Sequence, residues 1–239
     1  MEAHDFSHRS TQLEMMDDDS IGFEAFNACL RDLRRVNQWT FNYRPTMHWL
    51  AQVMKRRKTK APVSILDVGS GGGDMLRKIA NRAAQIGAEV KLTGVDLNPW
   101  SKKTAEQMSA AFRQITFETS NIFSFDPARQ DDYIISSLFT HHLTDGQLVE
   151  FMRWMDRHSR KGWFINDLHR HAIAYFFSKI AFKLLRLDRM VQNDGPISVA
   201  RAFTRKEWIG FLVAAGIPPD QATVKWYFPF RYGVARWKP

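Results

Sequence analysis

Three short segments of this 239-residue chain hold residues whose types and spacing could do chemistry. The first is Ile65-Leu-Asp67-Val-Gly69-Ser-Gly71-Gly-Gly73-Asp74, an apolar run that ends in a carboxylate and a cluster of glycines. Glycines permit a tight turn and let a ligand approach the backbone closely. A glycine turn that leaves a strand and opens a helix is the setting in which nucleotide-type ligands are held. The second is Asp96, which ends the apolar run Val90–Val95, where a carboxylate can accept both hydroxyls of a ribose. The third is a pair of segments, Ser136-Ser137-Leu-Phe-Thr-His141-His142-Leu143 and Phe164-Ile-Asn166-Asp167-Leu-His169-Arg-His171. An imidazole that titrates near neutral pH can take a proton from an alcohol or phenol, and an aspartate on its other nitrogen fixes the tautomer and steadies the imidazolium.

The charge around the glycine turn separates two ligand classes. A dinucleotide carries a pyrophosphate, which favours a bare, positive helix N-terminus. Here Asp67 precedes the first glycine and Asp74 follows the last, and Asp74 stands where G-x-G-x-x-G would place its third glycine. Two carboxylates repel a diphosphate, whereas S-adenosylmethionine presents an ammonium and a sulfonium and no phosphate. The turn therefore favours S-adenosylmethionine over a nicotinamide or flavin dinucleotide.

These residues need elements to position them. From Phe23 the spacing Phe23, Phe26, Leu30, Leu33 marks one face of a helix, and a second helix is predicted from about Pro45 to Lys55. Beyond Pro62, strand-like runs at Val63–Val68, Val90–Val95, Ile115–Thr119, Tyr133–Leu138 and Trp163–Asn166 alternate with helical segments. That alternation implies a parallel sheet with crossover helices. Thr204-Arg-Lys-Glu207 reads as a capping box opening a helix that Gly216 closes, and Thr223–Phe230 with Gly233–Trp237 reads as a terminal hairpin. The expectation is an α/β fold: a doubly wound, seven-stranded, mostly parallel sheet. Residues 1–60 form a leader and helical cap, residues 61–239 the main domain, and an insertion at about 168–203 separates the fifth and sixth strands.

Through Ile65–Asp74 and Gly94-Val-Asp96-Leu97-Asn-Pro99, the chain resembles the class I methyltransferase family. By that resemblance Asp67, Gly69, Gly71 and Gly73 line the methionine and adenosine side of S-adenosylmethionine, Asp96 holds the ribose and Leu97 packs on the adenine. The family often places an acid after the third strand. This chain has Asn121 there, followed by Ile122, and the Asn121 carbonyl can accept from the adenine amino group. Ser137 completes the cofactor-binding candidates. The segment after the fourth strand is similar to that of small-molecule O-methyltransferases, in which a histidine deprotonates the acceptor hydroxyl. His141 aligns with that base, His142 occupies the commoner family position, and Asp167 assists either. Magnesium-dependent relatives place an aspartate at the end of the fourth strand; this chain has serines, and no metal is expected. The segments Leu30–Pro45 and Asp194–Phe203 are similar to a bacterial subgroup acting on polyketide-derived phenols or pyrones, which implies that Tyr43 and Arg44 cover the methionine end, with Arg44 available for its carboxylate.

Composition narrows the setting. One cysteine, Cys29, excludes an internal disulfide and a cysteine metal cluster, and reads as a small packed residue. No stretch approaches the length of a spanning helix and the first ten residues lack a secretory core, so a cytoplasmic protein is expected. The net charge of +9 favours anionic partners, although the sharpest basic run, Lys55-Arg56-Arg57-Lys58, falls where cations complement a helix C-terminus. Residues 1–20 read as a loose leader ending in Asp17-Asp18-Asp19, and Ala172–Leu187 as a core helix, an acceptor-pocket lid or a surface helix on anionic lipid. The expected activity is methyl transfer to a hydroxyl of a small aromatic acceptor. Methylation of carbon or nitrogen, as on a quinone precursor, stays open. RNA methylation is disfavoured because Ser137-Leu-Phe-Thr stands where an aromatic-proline tetrad would sit.

Overall fold

The computed structural model describes residues 5–18, 20–57, 59–127 and 130–238, so Met1 to His4, Asp19 and Lys58 of the leader and the basic run lie outside it. The segment Val63–Val68 (β1) is buried along its whole length, as a strand covered on both faces must be. It pairs in parallel with Val90–Asp96 (β2) on one side and Asp131–Ser137 (β4) on the other. Ile115–Thr119 (β3) extends the sheet beyond β2, and Ser159–Leu168 (β5) beyond β4, both in parallel. The hairpin Ala222–Tyr227 (β6) and Arg231–Trp237 (β7) closes the sheet antiparallel to β5, giving the order β3-β2-β1-β4-β5-β7-β6. All seven predicted strands are present. The fifth is longer than its apolar core, because the antiparallel β7 continues its ladder to Leu168.

Successive strand residues alternate between two apolar layers. Val63 and Ile65 join Trp49 and Leu76 on the face covered by Tyr43–Lys55 (α2) and Asp74–Gln85 (α3). Leu66 and Val68 join Phe151 and Trp208 on the face covered by Asp145–His158 (α5) and Arg205–Ala214 (α8), while Pro99–Met108 (α4), which links β2 to β3, adds Ala105 to the first layer. Both α5 and α8 open on complete capping boxes, Thr144 with Gln147 and Thr204 with Glu207. Gly216, at φ +80°, ends the α8 turn as expected.

A third apolar cluster forms a cap. Cys29 and Val36 on Phe23–Trp39 (α1) pack against Phe182 on Ala172–Leu184 (α6), and against Met190 and Val191 on Arg189–Arg201 (α7). Cys29 is thus a buried packing residue. The α6 helix is not a core helix: Ser178 and Phe182 are its buried residues, while Ile173, Phe176, Phe177, Ile180 and Leu184 are exposed. No helix among the described residues is long and apolar enough to cross a membrane.

Candidate active site

The turn between β1 and α3 is shaped by three glycines with positive φ: Gly69 at 70°, Gly71 at 50° and Gly73 at 75°. Side chains at these φ values are strained, which is why the sequence spends glycine there. The end of β2 reaches under the turn. Asp96 accepts from the Gly71 amide at 2.8 Å with one oxygen and from the Asn98 amide at 3.0 Å with the other. Asp67 is fully buried, its Oδ1 has no partner, and burial together with the charge of Asp96 pushes its carboxyl well above the usual range. A buried carboxylate oxygen left unpaired is costly, so this atom suits a ligand that brings a cation or a hydrogen-bond donor. Asp74 differs. Arg77 pairs with it and the Tyr43 hydroxyl donates to it at 3.0 Å. The repulsion that disfavours a diphosphate therefore rests on Asp67 and Asp96, since Asp74 is neutralised within the fold.

Parallel pairing of Ser137 with Asn166 aligns the ends of β4 and β5 and brings the histidine pair beside Asp167. A single turn of 3-10 helix, Thr140–His142, follows β4. His141 is buried, and its Nδ1 lies 2.7 Å from Asp167 Oδ1. Asp167 also accepts from the His141 amide at 3.0 Å, the Leu168 amide at 2.7 Å and the Thr140 hydroxyl. Burial alone would raise its pKa, but the His141 charge and these donors hold it at about 2. His142 is partly exposed, with Nδ1 3.0 Å from Asp17 Oδ1.

The leader supplies a residue that sequence reasoning missed. Glu14 is 4% exposed and faces both histidines, its Oε1 3.6 Å from His141 Nε2 and its Oε2 3.8 Å from His142 Nε2. Burial pushes its carboxyl up to about 7, against the opposing charge of His142. Residues 5–18 run across this end of the sheet because buried polar groups bind their backbone. Asp194 accepts from the Met15 and Met16 amides at 2.7 and 3.0 Å, and Arg170 donates to the Phe6 carbonyl at 3.0 Å. Arg201 donates to the carbonyls of His141 and His142 and pairs with Asp17 at 3.1 Å. A lone glutamate in a polar leader has no periodicity to mark it; the buried polar residues of Asp194–Phe203 were the available clue.

A cavity of about 1280 Å³ joins these groups. Asp67, Asp96, Leu97, Ile122, Ser137 and His142 all line it, together with Gly69, Gly71, Asn121 and His141. Gly73 instead caps α3 just behind the turn. The Asn121 carbonyl already accepts from the Phe123 amide at 3.0 Å, which leaves it one further lone pair. Arg44 does not reach the cavity; it is exposed in a separate depression beside Lys78 and Arg82, and Arg34 from α1 lines the cavity at that end. His169 and His171 pack beside Phe230 with their rings tilted to it, His171 capping α6 and His169 driven down to about 4 by burial and the neighbouring cations. The two histidine segments thus do not merge into one cluster.

Residues 65–162 match the methyltransferase domain family. No curated protein matches the chain. Among solved structures, the magnesium protoporphyrin IX methyltransferase of Synechocystis PCC 6803 with bound SAH is similar at 14% identity and TM-score 0.60, covering 93% of this chain and 90% of that one. Human N-acetylserotonin methyltransferase in complex with SAM is similar at 18% identity and TM-score 0.60, covering 91% of this chain and 56% of that one. The CMeT domain of the citrinin polyketide synthase is similar at 17% identity and TM-score 0.58, covering 79% of this chain and 50% of that one. This chain spans about half the length of the latter two. The fold is that of the class I methyltransferases. The methyltransferase-domain match runs from β1 into β5, and the protoporphyrin and N-acetylserotonin methyltransferases similar to this chain hold SAH and SAM respectively.

Proposed function

We propose that this enzyme methylates a hydroxyl oxygen of a small aromatic acceptor, of the polyketide-derived phenol or pyrone type. S-adenosylmethionine, when bound, supplies a methyl group made electrophilic by its sulfonium. Asp96 and Leu97 hold the ribose and adenine, Asn121 and Ile122 flank the base, and Asp67 with the glycine turn and Ser137 takes the methionine side. Arg34, rather than Arg44, is the cation placed for the methionine carboxylate, because it lines the cavity. The observation that carries the acceptor assignment is the 2.7 Å contact of His141 Nδ1 with buried Asp167. It fixes one tautomer, leaving Nε2 to take the acceptor's proton while the carboxylate steadies the resulting imidazolium. Holding a nucleophile in line with the methyl group supplies much of the remaining rate. The His141→Ala and His142→Ala variants, assayed against a panel of phenols, test this. Loss of turnover in either, with SAH binding retained, supports the reading; full activity in both removes the proposed base.

The acceptor's route has its own signature. On α6, Ile173, Phe176, Phe177, Ile180 and Leu184 recur at helical spacing on one exposed face, and Ile173 and Phe177 also line the cavity. Lys179, Lys183 and Arg186 rim this face. An apolar stripe with a basic rim fits an anionic bilayer surface, and its continuity with the cavity suits an apolar acceptor drawn from the membrane.

A further inference from the structure

We infer that Glu14, His141 and His142 form a binding site for a divalent first-row transition-metal ion, with Asp167 and Asp17 as the outer carboxylates that orient the two imidazoles. The donor atoms of the three residues lie within 4.8 Å of one another. The Glu14-to-histidine separations, 3.6 Å to His141 Nε2 and 3.8 Å to His142 Nε2, are too long for hydrogen bonds. Two ligands each about 2.1 Å from one cation in a tetrahedral array stand about 3.4 Å apart, so the gap matches a bridging ion.

The protonation pattern agrees. Each imidazole has its Nδ1 committed to a carboxylate, His141 to Asp167 at 2.7 Å and His142 to Asp17 at 3.0 Å. That leaves both Nε2 atoms aimed at Glu14. Carboxylates on the far nitrogen are the usual supports of metal-ligating histidines. Glu14 is 4% exposed and its Oε1 has no hydrogen-bond partner. The nearest cation, Arg201 Nη1, is 3.8 Å away and is already engaged by Asp17 and the Gln12 carbonyl. Arg201 pairs with both Glu14 and Asp17, and neither imidazole Nε2 is within hydrogen-bond distance of Glu14, so the partner that fits between them is an ion. Two imidazoles and one carboxylate select zinc, manganese or iron(II) over magnesium, and leave positions open to an incoming oxygen.

This deepens the acceptor reading and rests on it in one respect, that the histidine pair faces the acceptor. One lone pair cannot serve twice, so His141 Nε2 is the base in the metal-free protein and a ligand in the metal-loaded one. In the loaded protein the cation would make the hydroxyl acidic: the O–H bond would break, its electron pair stay on oxygen and its proton pass to water. The sequence-based expectation of a metal-free site weighed the serines at the end of β4 and did not include Glu14. The test uses Co2+ as the probe, added to chelator-treated full-length protein and read by its visible absorption, with SAH binding measured on the same samples. One Co2+ per chain is expected. The Glu14→Gln and His142→Ala variants should each weaken it by more than about 100-fold, and Asp17→Asn by about 10–100-fold. Wild-type protein that binds SAH but takes up no Co2+, or Co2+ binding unchanged in both ligand variants, overturns the inference. The readout needs no acceptor, so its failure leaves the methyl-transfer reading intact. Failure of every phenol as an acceptor would leave the metal site intact.

Discussion

Replacing Gly73 by alanine should disable the turn by two separable effects. Its φ of +75° costs an L-residue about 1–2 kcal/mol. The added Cβ would also lie 2.7 and 2.9 Å from two ring atoms of Phe117, and 3.2 Å from Arg77 Nη1. Phe117 is 7% exposed and packed in the α2–α3 layer, so its ring cannot swing clear, and overpacking of this kind adds about 1–3 kcal/mol. The sum is about 2–5 kcal/mol, a fall in Tm of about 4–20 °C for a chain of this size. Urea unfolding of Gly73→Ala, Phe117→Leu and the double variant isolates the steric part. Shortening the ring should return about 1–3 kcal/mol of the loss and leave the backbone strain, so the double variant is more stable than the two single losses predict. SAH affinity should fall in Gly73→Ala and recover partly in the double variant. A single variant within about 0.5 kcal/mol of wild type, or strict additivity, would refute the packing argument.

Other expectations follow from the same geometry. His169 is held near pH 4 by burial, so the unfolded chain takes up a proton that the folded one refuses as pH falls below about 6.5. Stability should therefore drop by about 1–2 kcal/mol between pH 7 and 4.5, allowing for its partial exposure. His169→Phe should flatten that slope in urea midpoints, and an unchanged slope would exclude His169 as its source. Arg201→Met leaves Asp17 and the His142 carbonyl without their buried cation, and should cost about 3–5 kcal/mol while exposing residues 5–18 to proteolysis. A loss under about 1 kcal/mol with an intact leader would contradict the role given to it. Neutralising Lys179, Lys183 and Arg186 together should weaken sedimentation with phosphatidylserine vesicles by about 100-fold, at about 1 kcal/mol per charge. Binding that neither those changes nor Phe177→Glu reduces would remove α6 from the membrane account.

The sheet was legible because its strands are short apolar runs set off by glycine turns and capping boxes. Asp67, Asp96 and the positive-φ glycines fall where local spacing puts them. The histidine pair and Asp167 were legible for the same reason, since each directly follows a strand whose end a parallel sheet aligns. Three features were not. Glu14 and Asp17 reach the site through tertiary hydrogen bonds to Asp194 and Arg201, which no period in residues 5–18 could announce. Arg44 and Arg34 sit on separate helices, and which of them turns inward depends on how α1 crosses α4 and α7, a packing choice outside local sequence. The charge of Asp74 was assigned to the ligand site, but Arg77, one turn along α3, pairs with it.

The central claim is that a phosphate-free, positively charged ligand sits against Asp67 and Asp96. Calorimetric titration of the purified protein with SAH and, separately, with NAD+ tests it most directly, using Asp96→Ala as the comparison. The account predicts saturable binding of one SAH per chain, weakened at least tenfold in Asp96→Ala, and no heat from NAD+. Tight binding of NAD+ with none of SAH would contradict it.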